Sequence, residues 1–167
     1  SRYLNQNYDL EYNPDDELLI TVGVSEGMDL AMRAILNPDD EVIMPDPCYV
    51  SYNPSVVLAE GTPVMVPTYQ ENNFAISAED IEARITDKTR AILIGYPSNP
   101  TGAVMDKEDL SRIAEVVRRR NLLVVSDEIY AKLVYGVEHT CVAALPGMKE
   151  NTILLNGFSK AYAMTGW

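Results

Sequence analysis

One lysine near the end of the chain, Lys160, has the surroundings of a reactive amine. It follows the β-prone run Thr152–Leu155 and the turn-forming pair Asn156-Gly157, so we expect it in a loop just past a strand. A lysine amine can attack a carbonyl carbon and form an imine. Because most lysines only decorate solvated loops, Lys160 becomes a candidate through the polar residues that follow other strands.

A carboxylate, Asp127, stands just after the apolar run 122–125. An ionised carboxylate at the rim of a buried sheet is costly without a partner. Two interpretations stay open: Asp127 caps a following helix, or it pairs with a cation such as a protonated heterocyclic nitrogen. Tyr130 is close enough in sequence to point into the same crevice.

The turn Gly23-Val-Ser-Glu-Gly27 leads into a helical pattern. The backbone N–H of Val24 and the hydroxyl of Ser25 can therefore hold a phosphate at the positive end of that helix. The turn matches neither the dinucleotide-binding nor the P-loop pattern. A helix that Ser25 merely caps remains the alternative.

Two further residues, Asn99 and Tyr49, also follow predicted strands. Asn99 lies in a turn with two prolines and a glycine, in which the Asn-Pro bond can be cis. Its amide either contacts a ligand or bonds its own backbone. Tyr49 follows the second predicted strand and offers an aromatic face.

The elements that must position these residues are apolar strands alternating with amphipathic helices. We predict strands at residues 18–22, 41–44, 62–66, 90–94, 122–125 and 152–155, and helices at 28–36, 49–58, 78–85 and 107–120. Ser77 and Asp106 are the predicted N-caps. The pattern predicts an α/β protein, a three-layer α/β/α fold with a mostly parallel sheet. Residues 130–149 show little periodicity and are expected to form a loop or short irregular elements.

Composition limits the function. The chain has 167 residues, 47% of them hydrophobic, and a formal charge of −12, which suits one globular domain and disfavours nucleic acid and anionic membrane as partners. No apolar run approaches the roughly 18 residues that span a bilayer. Cys48 and Cys141 form no disulfide or metal pattern, and no leader is visible, so we expect a cytoplasmic location. His139 is the only histidine; we predict no metal site and place it in a loop.

An amine, a carboxylate, a phosphate-sized turn and an aromatic face are together the parts that pyridoxal 5'-phosphate requires. Five segments in this order resemble the central part of the large domain of class I/II pyridoxal-phosphate-dependent aminotransferases, fold type I. They are Thr21-Val-Gly-Val-Ser-Glu26, Pro45-Asp-Pro-Cys-Tyr49, Asn99-Pro-Thr-Gly102, Ser126-Asp-Glu-Ile-Tyr130 and Ser159-Lys-Ala-Tyr-Ala-Met-Thr-Gly-Trp167.

The resemblance implies a role for each candidate. Lys160 would form the Schiff base with the cofactor and then move the proton between the substrate α-carbon and the cofactor C4′. Asp127 would pair with the pyridine nitrogen, and Tyr49 would stack on the ring.

The remaining candidates would contact the cofactor's substituents. Tyr130 and Asn99 would bond the 3′ oxygen, with Asn99 also facing the substrate carboxylate, while Val24 and Ser25 would take the phosphate. Many family members carry a hydroxyl residue three positions before the lysine, where this chain has Gly157.

The resemblance also implies an aminotransferase that moves an amino group between an amino acid and a 2-oxo acid and forms a homodimer when full length. Residues 1–167 would be part of the cofactor-binding large domain, with the small domain and the N-terminal segment absent, and this part alone would be inactive. Two alternatives remain, a pyridoxal-phosphate lyase and the ligand-sensing domain of a transcriptional regulator.

Overall fold

A computed structural model describes residues 1–166, and Trp167, the last residue of the lysine motif, lies outside the described residues. Five strands form one sheet: β1 Glu41–Asp46, β2 Thr62–Pro67, β3 Thr89–Ile94, β4 Leu123–Asp127 and β5 Thr152–Leu155. Their order is β2-β1-β3-β4-β5 and every neighbouring pair is parallel. The predicted parallel α/β sheet is confirmed, and β2, which begins Thr62-Pro63, lies at its edge, where a proline is tolerated.

Helices cover both faces of this sheet. The α-helices are α1 Arg2–Tyr8, α2 Gly23–Ile35, α3 Tyr52–Leu58, α4 Ala78–Glu82 and α5 Lys107–Arg120, and single 3₁₀ turns lie at Gln70–Asn72, Val142–Ala144 and Lys149–Asn151. Alternate strand residues enter two separate cores. Val42, Ala91 and Val125 pack with α2 and α3, whereas Ile43, Ile92 and Val124 pack with α4 and α5. The three predicted layers are therefore present.

Both predicted N-cap residues, Asp106 and Ser77, are confirmed. The Asp106 side chain accepts a hydrogen bond from the Asp109 N–H at 2.8 Å, and Ser77 accepts one from the Asp80 N–H at 3.0 Å. Both caps satisfy backbone donors that a first helical turn leaves free. They set the starts of α5 and α4.

The predicted strand at 18–22 is wrong. These residues are irregular and pair with no described strand, and Leu19 and Ile20 are 74% and 92% exposed. The local sequence has a high β-propensity, but a strand exists only where a neighbour accepts its backbone hydrogen bonds. β5 is the last strand of the described sheet on its side.

Two predicted helix starts and several predicted ends also differ: β1 continues through Asp46 and β2 through Pro67, and α4 ends at Glu82. α2 begins at Gly23 with Val22 as N-cap, so Ser25 lies inside the helix and is not its cap. α3 begins at Tyr52, three residues later than predicted, and β4 continues through Asp127. The helix α1 was not predicted. Among residues 1–166, no helix has the length and apolar composition to cross a membrane.

Candidate functional site

A cavity of about 410 Å³ opens at the carboxyl edge of the sheet. Because all five strands are parallel, the segments that follow them emerge at this one edge. All seven predicted site residues line the cavity: Val24, Ser25, Tyr49, Asn99, Asp127, Tyr130 and Lys160. The volume lies within the usual range of small-molecule sites.

Asp127 supplies the buried acid of this cavity. It is the last residue of β4 and is 6% exposed. Its Oδ2 accepts a hydrogen bond from the Tyr52 hydroxyl at 2.9 Å, and its Oδ1 accepts one from the Ile129 N–H at 3.1 Å. No helix follows, so the helix-cap interpretation of Asp127 is wrong. Burial raises the pKa of Asp127, while the two hydrogen bonds oppose that rise.

The N-terminus of α2 supplies the backbone donors. Val24 and Ser25 lie in its first turn, where N–H groups have no intrahelical partner. No side chain caps this end, although the Glu26 carboxylate accepts a hydrogen bond from the Val22 N–H. Free N–H groups and the positive end of a helix dipole together favour an anion. Ser25 does not cap α2, but the N–H groups of its first turn remain available to an anion.

Lys160 lies in a turn after β5 and is exposed. The Thr165 hydroxyl donates to the Ser159 carbonyl at 3.2 Å, which ties this turn together. At Gly157, a Cβ atom would lie 3.2 Å from Ile129 Cδ1, so a side chain there requires the neighbouring isoleucine to shift. Gly157 thus packs closely against the segment that follows Asp127.

Three tyrosines and one asparagine also line the cavity. The Tyr49 ring meets the Tyr52 ring edge to face, with centroids 5.7 Å apart. Asn99 is exposed in its turn and precedes a cis peptide bond to Pro100, and Tyr130 is half-buried.

Sequence reasoning missed Tyr52 as a site residue. Its hydroxyl reaches Asp127 only because Gly95, after β3, has no side chain: a Cβ there would lie 2.2 Å from the Tyr52 oxygen. Nothing in the local pattern around Tyr52 signals this contact, because the partners are 75 residues apart. His139 lies in a loop as predicted, but its side chain is buried beside Glu128.

The two thiols show no sign of activation. Cys48 and Cys141 are both free. Burial raises the pKa of Cys48 to about 11 and also raises that of Cys141. A reactive thiol needs a lowered pKa, so both behave as ordinary side chains.

An exposed amine, a buried carboxylate and a free helix N-terminus lie around one cavity at the carboxyl edge of a parallel α/β sheet, an arrangement typical of sites for anionic small molecules. The whole chain, residues 1–167, matches the family Aminotransferase class I and II. The chain belongs to this family.

Similar proteins agree with the family. The chain is 55% identical over its full length to the Putative aminotransferase YugH of Bacillus subtilis, of which it covers 43%. It is 43% identical to an Aspartate aminotransferase of Pyrococcus abyssi over 98% of the chain and 42% of that relative. The solved structure of an aromatic aminotransferase from Pyrococcus horikoshii superposes with a TM-score of 0.97 at 43% identity, over 99% of this chain and 44% of that one. The chain thus spans less than half the length of these relatives.

Proposed function

We propose that the protein that carries this chain is a pyridoxal-phosphate-dependent aminotransferase, which moves an amino group between an amino acid and a 2-oxo acid. Residues 1–167 are then part of its cofactor-binding large domain. The observation that supports this most strongly is that Lys160, Asp127 and the N-terminus of α2 line one cavity. Membership of the aminotransferase family supports it independently.

The donor set fits pyridoxal 5'-phosphate. The cofactor has an aldehyde that an amine can attack, a ring nitrogen that a carboxylate can keep protonated and a phosphate that a helix N-terminus can hold. The cavity offers one group of each kind, in Lys160, Asp127 and the first turn of α2. When bound, the cofactor supplies an electron sink for a carbanion at the substrate α-carbon.

Each residue then has a defined task. With the cofactor bound, Lys160 would hold it covalently and would carry the proton between the substrate α-carbon and the cofactor C4′. Asp127 would keep a proton on the ring nitrogen, and Tyr49 would stack on the ring.

The other four residues orient the bound molecules. Asn99 and Tyr130 bond the 3′ oxygen, and Asn99 also faces the substrate carboxylate. The Val24 amide and Ser25 hold the phosphate. We also propose that the full-length protein is a homodimer in the cytoplasm; light scattering tests the dimeric state, and cell fractionation tests the location.

Borohydride reduction tests the site. The full-length protein is incubated with pyridoxal 5'-phosphate, reduced and digested, and the adduct is mapped by mass spectrometry. We expect the adduct on Lys160 and its loss in Lys160→Ala, with amino-transfer activity about 10⁴-fold lower because the proton carrier is gone. Lys132→Arg is the matched control, since the Lys132 ammonium lies over the Tyr3 ring and has no assigned role. An adduct on another lysine would overturn the assignment.

A substrate panel tests the reaction. Activity that requires both an amino acid and a 2-oxo acid identifies a transferase. Elimination without a 2-oxo acid identifies a lyase, and cofactor binding without turnover supports the ligand-sensing alternative.

A further inference from the structure

The contact between Tyr52 and Asp127 joins two buried side chains that line the cavity. Tyr52 opens α3 directly after the turn that follows β1, and it is 4% exposed. Its hydroxyl donates to Asp127 Oδ2 at 2.9 Å. The ring also supports Tyr49 edge to face, at a centroid distance of 5.7 Å. One side chain thus touches two predicted cofactor contacts.

Gly95 makes room for this contact. A Cβ at Gly95 would lie 2.2 Å from the Tyr52 oxygen and 3.5 Å from the Asp127 Cβ. The φ angle of Gly95 is not among the positive values of the described backbone, so the position requires a small residue rather than an unusual backbone. Any side chain there would push the tyrosine hydroxyl away from the carboxylate.

The direction of the hydrogen bond is determined by the chemistry of the pair. Burial and the neighbouring carboxylate raise the pKa of Tyr52 well above its usual range, so its hydroxyl stays protonated and acts as the donor. A donor at Oδ2 favours the charged form of Asp127, as does the Ile129 N–H at Oδ1. Asp127 lines the cavity, and each of its oxygens keeps a lone pair free for a further donor.

We propose that Tyr52 is a positioning residue: its hydroxyl, admitted by the absent side chain at Gly95, keeps Asp127 as an oriented carboxylate that faces the cavity. The further step, in which this carboxylate pairs with a protonated ring nitrogen, rests on the proposed function. The hydrogen bond and its effect on Asp127 do not depend on any bound cofactor. The titratable groups around Asp127 are Tyr52 from α3, Glu128 and Tyr130 on its own segment, and Lys160 after β5.

The first measurement is made on the full-length protein without cofactor. Carboxyl ¹³C NMR with labelled aspartate follows the Asp127 titration, and Asp127→Asn identifies the signal. We expect Tyr52→Phe to raise the pKa of Asp127 by about one unit, because one hydrogen bond to the charged form is lost. An unchanged titration would overturn the proposal.

Gly95→Ala tests the same contact without altering the tyrosine. It should raise the pKa of Asp127 as Tyr52→Phe does. In the double variant, Gly95→Ala should add little, since the nearest remaining tyrosine atom, Cζ, is 3.2 Å from the new Cβ. Additive shifts would show that the two residues act separately and would contradict the proposal. Circular dichroism establishes that each variant is folded.

Tyr96→Phe is the matched control. Tyr96 is also buried and follows Gly95 directly, but its hydroxyl donates to the Phe74 carbonyl at 3.0 Å and accepts from the Ile76 N–H at 3.2 Å. Its removal should leave the Asp127 titration unchanged. A shift of equal size in Tyr96→Phe would assign the effect to general loosening of the core and overturn the proposal.

The second measurement is cofactor affinity from fluorescence quenching. Tyr52→Phe should weaken pyridoxal 5'-phosphate binding about tenfold, with a larger loss at lower pH, where more Asp127 is protonated. If Asp127 shifts but no lysine adduct forms in the unaltered protein, the positioning role stands and the proposed function fails. If Lys160 is labelled but Tyr52→Phe changes neither the titration nor the affinity, the function stands and the positioning role fails.

Discussion

Asp127 and Glu128 are neighbours in sequence, and both are buried, at 6% and 1% exposure. Asp127 ends β4 and meets Tyr52 of α3, whereas Glu128 follows the strand and meets Val142, which belongs to the core on the other face of the sheet. Asp127 lines the open cavity. Glu128 accepts hydrogen bonds at Oε1 from the Ser126 hydroxyl and the Val142 N–H, both at 3.0 Å. One carboxylate lines a cavity and the other is enclosed by protein.

The environment of Glu128 is a closed polar cluster. Its Oε2 has no hydrogen-bond partner among residues 1–166, and His139 Nε2 lies 3.6 Å from it. The other ring nitrogen of His139 is 3.0 Å from the Tyr8 hydroxyl of α1. Glu128 and His139 thus connect β4 to the 137–142 loop and to the first helix. Burial of a carboxylate does not by itself mark a functional site. Asp127 differs from Glu128 because Asp127 also lines a cavity that a small molecule can enter.

The largest expected effect comes from removing the enclosed carboxylate. Glu128→Ala leaves the Val142 N–H and the Ser126 hydroxyl buried without an acceptor and opens a void, so we expect a loss of about 3–5 kcal/mol in the free energy of unfolding. Asp127→Ala should cost about 1–2 kcal/mol, because water in the open cavity can satisfy the freed donors. Urea unfolding of the cofactor-free protein measures both. Equal losses of unfolding free energy in the two variants would contradict the distinction between an enclosed Glu128 and a cavity-lining Asp127.

The free energy of unfolding should also depend on pH through Glu128. Burial raises the pKa of Glu128 from its ordinary 4.5 to about 7. A raised folded-state pKa gives a stabilising contribution that is fully present below the unfolded value and is lost as pH rises to about 7. His139, with a pKa lowered by burial, contributes with the opposite sign. The other titratable groups around Glu128 are Asp127, Cys141 and Tyr8.

Glu128→Gln isolates the carboxylate from these neighbours, since the amide oxygen can keep both hydrogen bonds. The unfolding free energy of the unaltered protein, relative to this variant, should fall by about 2–3 kcal/mol between pH 4.5 and 8. Urea titrations at several pH values measure it. Glu115→Gln, on the exposed side of α5, controls for the loss of a charge at a solvated position. A constant difference across this range would contradict a protonated Glu128.

Much of this arrangement was predictable because its causes are local. The apolar runs that became β1, β3, β4 and β5 carry enough pattern to predict the sheet, and parallel strands bring the following residues to one edge. Ser77 and Asp106 bond donors only three residues away, so spacing alone identified the caps. Five of the seven predicted site residues lie at or after strand ends and meet in one cavity for the same reason, whereas Val24 and Ser25 reach it from the start of α2.

The features that sequence reasoning missed depend on distant partners. Residues 18–22 have the pattern of a strand but no described neighbour. Tyr52 finds Asp127 across 75 positions, and His139 finds Tyr8 across 131. In each case the deciding interaction is a pairing in space, which no local window contains.

The smallest effect concerns the outer end of the Glu128 cluster. Tyr8→Phe removes the hydroxyl that meets His139 Nδ1, and we expect a loss of about 1 kcal/mol in unfolding free energy, the usual net value of one hydrogen bond. Tyr12→Phe is the matched control on the same N-terminal segment, because the Tyr12 hydroxyl is buried with no hydrogen-bond partner among residues 1–166. Its removal should cost nothing or stabilise the protein, since no bond is lost and a buried polar group disappears.

Tyr8→Phe also tests whether the surroundings of Glu128 affect the cavity that Asp127 lines. The affinity for pyridoxal 5'-phosphate should stay within about twofold of the unaltered value, an energy difference under about 0.5 kcal/mol, because Tyr8 contacts the closed cluster and does not line the cavity. A loss of affinity as large as that expected for Tyr52→Phe would mean that the cluster around Glu128 holds Asp127 in place through the shared backbone. The two carboxylates would then form one functional unit, with Glu128 as its structural half.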